Sequence, residues 1–162
     1  CTNAWNLEQD RGRSFPDAVK LLSADHPDWA AEIAAFDLRW PETVSGAIHD
    51  SVAVLEKLRR DCDKVYAITN FNDEKFSLAQ KHYPFLTVFD DIVVSATEKM
   101  LKPDPEIYHT LLHRNGVKAE ACVFIDDSEK NVLGARAVGM HAIHFTSARQ
   151  MADELRAFGF SV

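Results

Sequence analysis

Three short segments of this chain carry side chains that could together hold a phosphate group and a divalent metal ion. Thr69 and Asn70 follow an apolar run and offer a hydroxyl group and backbone amides. Lys102 stands in a loop directly before a proline, and Asp126 and Asp127 end a second apolar run. Amides at a helix start and a fixed cation bind phosphoryl oxygens, and carboxylates are the oxygen ligands that Mg²⁺ prefers. The three segments therefore predict phosphate and metal chemistry.

Each segment also has an ordinary structural explanation. A Thr-Asn pair is common where a helix starts, and two adjacent aspartates can cap a helix. A lysine in a loop, such as Lys102, is usually a solvated surface cation. Because all three segments occur in one chain, in this order, the functional interpretation is favoured over the structural one.

The elements that would position these side chains follow from hydrophobic periodicity. From His49 onward, a helix over about 52–58 is followed by short apolar runs that alternate with amphipathic stretches. Strands are predicted at 65–69, 91–95, 122–126 and 141–145, and helices at 73–82, 105–114, 129–138 and 148–158. This alternation predicts an α/β fold: a three-layer parallel sheet whose strands are buried on both faces. Ligands bind such sheets at the carboxyl ends of the strands, where the polar segments fall or closely follow.

The first 45 residues predict helices only. Ser14 is expected to open one helix, with Asp17 three residues later as an imperfect capping box. A second helix is expected over 28–38, and Pro41 interrupts it. The tryptophans are expected to pack these helices rather than to recognise a ligand: Trp5, Trp29 and Trp40.

Composition excludes several classes of function. The chain has 162 residues, is 46% hydrophobic and carries a net charge of −7, so it lacks the basic surface of a general nucleic-acid binder. No apolar run approaches the roughly 20 residues that span a bilayer. The cysteines are three in number and without CxxC spacing, which indicates neither a disulfide framework nor a zinc site. The first residues lack signal-peptide character, so a reducing cytoplasm is expected, with the protein a monomer or a homodimer.

From about residue 51 to 145 the chain resembles the haloacid dehalogenase-like (HAD) hydrolase superfamily, in particular its phosphatases with a small helical cap. The segments 65–70, 102–108 and 124–131 resemble the second, third and fourth motifs of that superfamily, in order. The last two also resemble the phosphatase domain of soluble epoxide hydrolases. The resemblance implies a Rossmann-like core at 46–162 and an incomplete helical cap at 1–45.

The resemblance assigns roles to the polar residues. It implies that Thr69 and Asn70 bind the phosphate group and that Lys102 contacts both the phosphate and the nucleophile. The loop around Arg11 could contact substrate, although a surface arginine beside a glycine is commonplace. The implied substrate is a small phosphorylated metabolite.

The same resemblance implies a Mg²⁺ site. Asp127 is the expected direct ligand, Asp126 stands beside the site with a catalytic role, and Asn131 supports either the metal or the lysine. His109 and His113 have a spacing that can bind zinc, but no third ligand accompanies them, so a solvated helix face is expected.

The first motif of the superfamily, an Asp-x-Asp loop after an opening strand, has no counterpart here. The early aspartates do not follow a β run: Asp10, Asp17, Asp25 and Asp28. The resemblance implies that the missing strand is central in the sheet, between 65–69 and 122–126. A strand and the start of the cap are therefore expected to precede Cys1, on the order of 30–40 residues, and the 162-residue chain is expected to be inactive alone. Intact-mass measurement of the native protein tests this expectation.

Two alternatives to the phosphatase stay open. A 2-haloacid dehalogenase uses the same type of carboxylate nucleophile without a metal, and the resemblance implies that neutral residues replace the pair Asp126-Asp127 in such enzymes. A non-catalytic member of the superfamily, used as a binding module, would not need the first motif.

Overall fold

The structure is a computed structural model that describes residues 3–162, and it divides into two compact units. The first unit contains the described residues up to Gly46, together with Asn70–Thr87 and Val94–Leu101. The second unit contains Ala47–Thr69, Val88–Val93 and Lys102–Val162. The predicted boundary between a cap at 1–45 and a core at 46–162 stays a prediction.

Helices and strands follow one another in the predicted order. The helices are α1 (Asn3–Asp10), α2 (Phe15–Asp25), α3 (Ala30–Leu38), α4 (His49–Asp61), α5 (Asp73–His82), α6 (Ser95–Glu98), α7 (Pro105–Asn115), α8 (Glu129–Ala137) and α9 (Ala148–Ala157). The strands are β1 (Tyr66–Thr69), β2 (Asp91–Val94), β3 (Val123–Asp126) and β4 (His141–His144). Short 3₁₀ turns lie at Pro27–Trp29, Trp40–Thr43, Pro84–Thr87 and Ala119–Ala121. Among the described residues, no helix has both the length and the apolar character needed to cross a bilayer.

The first unit is held together by an aromatic cluster and a buried ion pair. The ring of Phe15 is 6.0 Å from that of Trp5 and 6.3 Å from that of Phe36. The ammonium group of Lys75 lies 4.5 Å from the centre of the Phe15 ring and pairs with the Asp37 carboxylate. This cation is largely buried, so both the carboxylate and the ring compensate for its lost hydration.

Two details of the helical prediction were wrong. The helix expected to start at Asp28 begins at Ala30, because Pro27–Trp29 forms a separate 3₁₀ turn before it. The side chain of Trp29, expected to pack between helices, is 62% exposed. The turn takes this residue off the buried stripe of α3, where Ile33 is buried.

The cap of α2 gives a first testable prediction. Ser14 has extended backbone angles, and its hydroxyl oxygen accepts a hydrogen bond from the Asp17 amide, as the sequence predicts. We expect Ser14→Ala to lower the free energy of unfolding by about 1 kcal/mol, because the amide loses its acceptor. Ser14→Asn keeps an acceptor and should stay near the original stability. Urea unfolding measures both, and equal losses in the two variants would contradict the capping explanation.

The second unit contains two separate pairs of strands. β3 and β4 are parallel, with Val123 opposite His141 and Asp126 opposite His144. β1 pairs with β2. The described residues thus form two two-stranded sheets rather than one continuous sheet, and the expected further strand between β1 and β3 stays a prediction.

The strands are less buried than the sequence suggests. All residues of β1 are half-buried, and so are Val123, Phe124 and Ile125 of β3. Each strand has a neighbour on one side only within the described residues, so its other edge lacks cover. These open edges account for the half-burial of β1 and of most of β3, and the predicted alternation of strands and helices in an α/β fold is confirmed.

The helices of the second unit are anchored by apolar stripes. α7 buries Ile107, Tyr108, Leu111 and Leu112 and ends at Gly116, whose left-handed φ of 63° is the predicted helix end. α4 and α9 pack in one apolar cluster with β4: its buried members include Val54, Ile143 and Leu155.

Candidate active site

A buried ion pair joins the loop after α6 to the end of β3. The ammonium nitrogen Nζ of Lys102 lies 2.6 Å from Oδ2 of Asp126 and 2.8 Å from the carbonyl oxygen of Ile68 in β1. The side chains of Lys102 and Asp126 are 9% and 6% exposed. The lysine is therefore not the solvated surface cation of the structural explanation.

The same lysine shows how β1 and β3 are oriented. Ile68 is next to the last residue of β1, and Asp126 is the last residue of β3. Because Lys102 contacts both, the carboxyl ends of these strands lie on the same side of the second unit. This arrangement matches the sheet edge at which ligands bind in parallel α/β folds.

Both oxygens of the Asp126 carboxylate accept hydrogen bonds from protein donors. While Oδ2 binds the lysine, Oδ1 accepts hydrogen bonds from the Ser128 amide at 2.8 Å and from Nδ2 of Asn131 at 2.9 Å. Asn131, whose partner the sequence left undecided, thus contacts the aspartate. These donors compensate the buried carboxylate for its lost hydration and fix its position, and the carboxylate in turn holds the lysine in place.

Tyr108 and Phe124 lie behind the ion pair of Lys102 and Asp126, and the sequence assigned neither of them a role. The hydroxyl group of Tyr108 donates to the backbone oxygen of Asn131 at 2.8 Å, and burial raises the pKa of this hydroxyl well above its ordinary value. The Tyr108 ring meets the Phe124 ring edge-on at 5.4 Å, and the latter ring lies 5.5 Å from Nζ of Lys102. Apolar spacing could have placed Tyr108 in the core, but nothing in the sequence showed its hydrogen bond.

Gly134 allows α8 to approach the lysine loop. A Cβ atom at this position would lie 2.7 Å from the carbonyl oxygen of Pro103 and 3.0 Å from the Tyr108 hydroxyl. The glycine therefore fixes the distance between the helix and the residue that follows Lys102. In the sequence, only the position of this glycine inside a predicted helix indicated such a close contact.

Asp127 differs from its neighbour. It is exposed, and its backbone oxygen lies 2.9 Å from Nε2 of His144. An exposed carboxylate beside a buried one that is already paired with a lysine is a suitable oxygen donor for Mg²⁺. However, no group of three or more His, Cys, Asp or Glu residues that could hold a metal occurs within residues 3–162. The described residues thus supply one candidate ligand and not a complete metal site.

The remaining predicted site residues do not all belong to one unit. Thr69 ends β1 and, like Lys102, belongs to the second unit, whereas Asn70 begins a segment of the first. Arg11 also belongs to the first unit, where its exposed side chain pairs with Glu8 at 2.9 Å. The structure brings Lys102 and Asp126 into contact, and the functional roles of the others stay predictions.

The early aspartates lie in helical or turn context and the two histidines lie on an exposed helix face, as the sequence predicts. None of the early aspartates follows a strand: Asp10, Asp17, Asp25 and Asp28 lie in α1, α2 or the 3₁₀ turn after α2. His109 and His113 are both exposed on α7.

Asp10 gives a second testable prediction. Burial raises the pKa of its carboxyl group from an ordinary 3.8 to about 6. The charged form is thus disfavoured in the folded chain, and we expect the contribution of Asp10 to stability to fall as the pH rises from about 4 to about 6 and to stay constant above that. Asp10→Asn should remove this pH dependence and be the more stable variant at neutral pH.

Urea unfolding at several pH values measures the free energy of unfolding of Asp10→Asn relative to that of the unaltered chain. Asp28→Asn, at an exposed position, is the control for removing one acidic group. A difference between Asp10→Asn and the unaltered chain that did not change with pH would contradict the assignment.

Known proteins resemble the part of the chain that contains these site residues. A family model described as haloacid dehalogenase-like hydrolase matches residues 28–145. Sesquiterpene phosphatase astK of Aspergillus oryzae is 37% identical over 105 residues, which are 64% of this chain and 53% of that protein. Bifunctional epoxide hydrolase 2 of Mus musculus is 38% identical over 71 residues, 44% of this chain and 13% of that protein. (S)-2-haloacid dehalogenase 4A of Burkholderia cepacia is 30% identical over 97 residues, 60% of this chain and 42% of that protein.

A solved structure shares the fold. The HAD family enzyme bt-2542 of Bacteroides thetaiotaomicron, in complex with magnesium and inorganic phosphate, superposes with a TM-score of 0.70 at 24% identity and covers 86% of this chain and 73% of that one. This chain spans about half the length of astK. The family match covers most of the chain and includes Lys102, Asp126 and Asp127, so this protein belongs to the haloacid dehalogenase-like hydrolases.

Proposed function

We propose that the protein is a Mg²⁺-dependent phosphatase of a small phosphorylated metabolite and that it works through an aspartyl-phosphate intermediate in the cytoplasm. The observation that carries this proposal is the contact of Lys102 with Asp126 and with the end of β1. A lysine held by two acceptors at the carboxyl ends of two strands is a fixed positive charge where a phosphoryl group would bind. Such a charge stabilises the oxygens of a phosphoryl group as it is transferred.

Each remaining residue has a proposed role. The Thr69 hydroxyl and the Asn70 amide bind phosphate oxygens, and Arg11 contacts the rest of the substrate. Asp126 positions the lysine, and Asp127 contributes one carboxylate oxygen to the metal. Bound Mg²⁺ would neutralise phosphate charge. None of the described residues is proposed as the nucleophile.

Similarity supports this activity in two ways. One relative is named a sesquiterpene phosphatase, and the solved enzyme bt-2542 holds magnesium and inorganic phosphate. Another relative is named a 2-haloacid dehalogenase, so dehalogenation is the alternative activity. The exposed carboxylate of Asp127, beside an Asp126 that is paired with Lys102, favours the metal-dependent phosphatase over the dehalogenase, which needs no metal.

The test is carried out on the native protein that contains this chain. Release of inorganic phosphate from p-nitrophenyl phosphate and from a panel of sugar, nucleotide and prenyl phosphates is measured with Mg²⁺ and after chelation with EDTA. Release of chloride from 2-chloropropionate is measured in parallel. Phosphate release that needs Mg²⁺ supports the proposal, whereas metal-independent chloride release would establish the dehalogenase. The absence of both activities would favour a non-catalytic binding module.

Asp127→Asn separates the proposed metal ligand from the rest of the site. We expect this variant to need roughly tenfold or more Mg²⁺ for half-maximal phosphate release, because a neutral amide is a weaker ligand than a carboxylate. Glu129→Gln, an exposed neutralisation two residues away, is the matched control. Equal Mg²⁺ requirements in the two variants would remove Asp127 from the proposed site.

A further inference from the structure

The first unit brings together two segments to which the proposed function gives substrate contacts. Arg11 lies in the arginine loop (residues 10–14), which runs from the end of α1 to the start of α2, and Asn70 directly follows β1. Both segments belong to the first unit, and so does α6. A substrate that reaches from the Asn70 amide to the Arg11 side chain gains from both contacts only if the separation of these segments is fixed.

One buried hydroxyl group connects the two segments. The oxygen Oγ of Ser95, at the start of α6, accepts a hydrogen bond from the amide of Phe71 at 2.9 Å. The same hydroxyl donates to the carbonyl oxygen of Asp10 at 2.7 Å, and the carbonyl oxygen of Phe71 is farther away, at 3.3 Å. A hydroxyl group has one proton, so Ser95 donates to one segment and accepts from the other.

The partners of Ser95 are the neighbours of the two proposed substrate contacts. Phe71 follows Asn70, and Asp10 precedes Arg11. The side chain of Ser95 is itself fully buried, so it does not touch a substrate. Any influence of this serine on substrate binding must therefore pass through Phe71 and Asp10.

The arginine loop also lies against α6 at Gly12. This glycine has a left-handed φ of 103°, and a Cβ atom at its position would lie 2.8 Å from the carbonyl oxygen of Ala96. Because that oxygen belongs to the backbone, it cannot move aside as a flexible side chain would. The loop thus approaches α6 as closely as a glycine allows, beside the residue that follows Ser95.

Two further side chains of the first unit bind the backbone of the arginine loop and of the residue after it. Nδ2 of the buried Asn72 donates to the carbonyl oxygen of Arg13 at 3.4 Å, and Oε2 of Glu74 accepts from the amide of Phe15 at 3.2 Å. These bonds fix the course of the loop without using its side chains. The side chain of Arg11 stays exposed, where it can meet a substrate.

We propose that Ser95 is a positioning residue of this protein, whose hydroxyl holds the arginine loop at a fixed separation from the Asn70 amide. The inference rests on the proposed phosphatase function, in which that amide binds the phosphate group and Arg11 binds the rest of the substrate. Through Phe71 the serine orients the phosphate-binding amide, and through Asp10 it places the arginine. Both ends of one substrate molecule are then bound at the same time.

The test uses the native protein that contains this chain and measures two constants. The first is KM for the panel substrate with the highest kcat/KM, and the second is Ki for inorganic phosphate as a competing product. Inorganic phosphate lacks the rest of the substrate, so its Ki reports on the Asn70 segment, whereas KM reports on both segments. Neither constant depends on the fraction of protein that is folded, so a merely structural role would leave both unchanged.

Ser95→Ala should raise Ki by about threefold or more and KM by about tenfold or more. The amide of Phe71 and the carbonyl group of Asp10 both lose their partner, so both segments shift, and KM responds to each of them. Thr97→Ala removes an exposed hydroxyl group from the same short helix and is the matched control. It should change neither constant.

Variants of the arginine loop separate its contribution from that of the phosphate-binding segment. Arg11→Ala should raise KM by about tenfold and leave Ki unchanged, and adding Ser95→Ala should then raise KM only by the factor seen in Ki. Gly12→Ala should also raise KM and not Ki, because its Cβ atom displaces the loop from Ala96 while the bond between Ser95 and Phe71 remains. These two loop variants test the placement of the loop even where Ser95→Ala yields little folded protein.

The outcomes distinguish this inference from the proposed function. If the unaltered protein releases no phosphate from any substrate, the proposed function and the positioning role both fail. If it does release phosphate but Ser95→Ala leaves KM and Ki unchanged, the positioning role alone is overturned. An unchanged KM in Gly12→Ala, or an equal effect of Ser95→Ala on KM with and without Arg11, would overturn the coupling between the serine and the arginine loop.

Discussion

Lys102→Met is expected to lower the free energy of unfolding by about 3–5 kcal/mol and to reduce phosphate release by about 10²-fold or more. The side chains of Lys102 and Asp126 are only 9% and 6% exposed. Removal of the ammonium group leaves a buried carboxylate without its counter-ion. The remaining donors, Ser128 and Asn131, compensate for part of that charge and not for all of it.

The stability effect is separated from the catalytic one by a double-mutant cycle. Lys102→Met combined with Asp126→Asn should be more stable than the sum of the two single losses predicts, because the double variant has no unpaired buried charge. Lys130→Met, at an exposed position on α8, is the control and should change stability by less than about 0.5 kcal/mol. Urea unfolding of the unaltered chain, the two single variants and the double variant gives the coupling energy. Strictly additive losses would show that the contact between lysine and aspartate contributes nothing to folding.

Activity in this cycle should behave differently from stability. The double variant regains folding stability but has no cation at the strand ends, so phosphate release should stay as low as in Lys102→Met. If release recovered together with stability, Lys102 would have a structural role only, and the proposed function would lose its main support.

Much of the chain from His49 onward could be predicted because its signals are local. The helix over Asp73–His82 was predicted with its exact bounds, and Gly116 ends α7 as its sequence context indicates. The strands were predicted to within one residue at either end. β2 ends one residue early because Ser95 turns into the short helix α6, which is too short to give a periodic pattern.

The arrangement of the strands depended on partners that a local pattern does not show. Apolar runs predicted strands buried on both faces, but a run does not reveal whether a neighbour lies on each side. The half-buried β1 and β3 follow from edges that lack such neighbours within the described residues. In the first unit, Trp29 was misjudged for a related reason, since a 3₁₀ turn shifted it out of the helical period.

For the candidate site, residue types were predictable and contacts were not. Lys102 and Asp126 were expected at the same edge because both follow strands, and they form an ion pair. The hydrogen bond from Tyr108 to the backbone of Asn131 joins residues far apart in the sequence, and no spacing rule indicates it. The residues that hold a site in place are therefore harder to predict than the residues of the site.

Gly134→Ala tests that supporting layer and is expected to lower the free energy of unfolding by about 1–3 kcal/mol. Helix propensity alone predicts the opposite sign, since alanine is favoured over glycine inside a helix by about 1 kcal/mol. The new Cβ atom, however, would lie 2.7 Å from the backbone oxygen of Pro103 and 2.9 Å from its Cβ atom. Neither atom is the end of a flexible side chain, so α8 and the lysine loop must move apart.

The comparison that isolates this contact lies in the same helix. Lys130→Ala and Lys130→Gly differ only in helix propensity at an exposed position of α8, and the alanine variant should be more stable by about 1 kcal/mol. Tyr108→Phe added to Gly134→Ala removes the hydroxyl at 3.0 Å but leaves the contact with Pro103, so it should not restore stability. Because Pro103 follows Lys102 directly, displacement of the loop should also lower phosphate release in the native protein. A stabilising Gly134→Ala, of the size seen at Lys130, would mean that the helix and the loop separate at no cost and that the glycine does not set the position of the lysine.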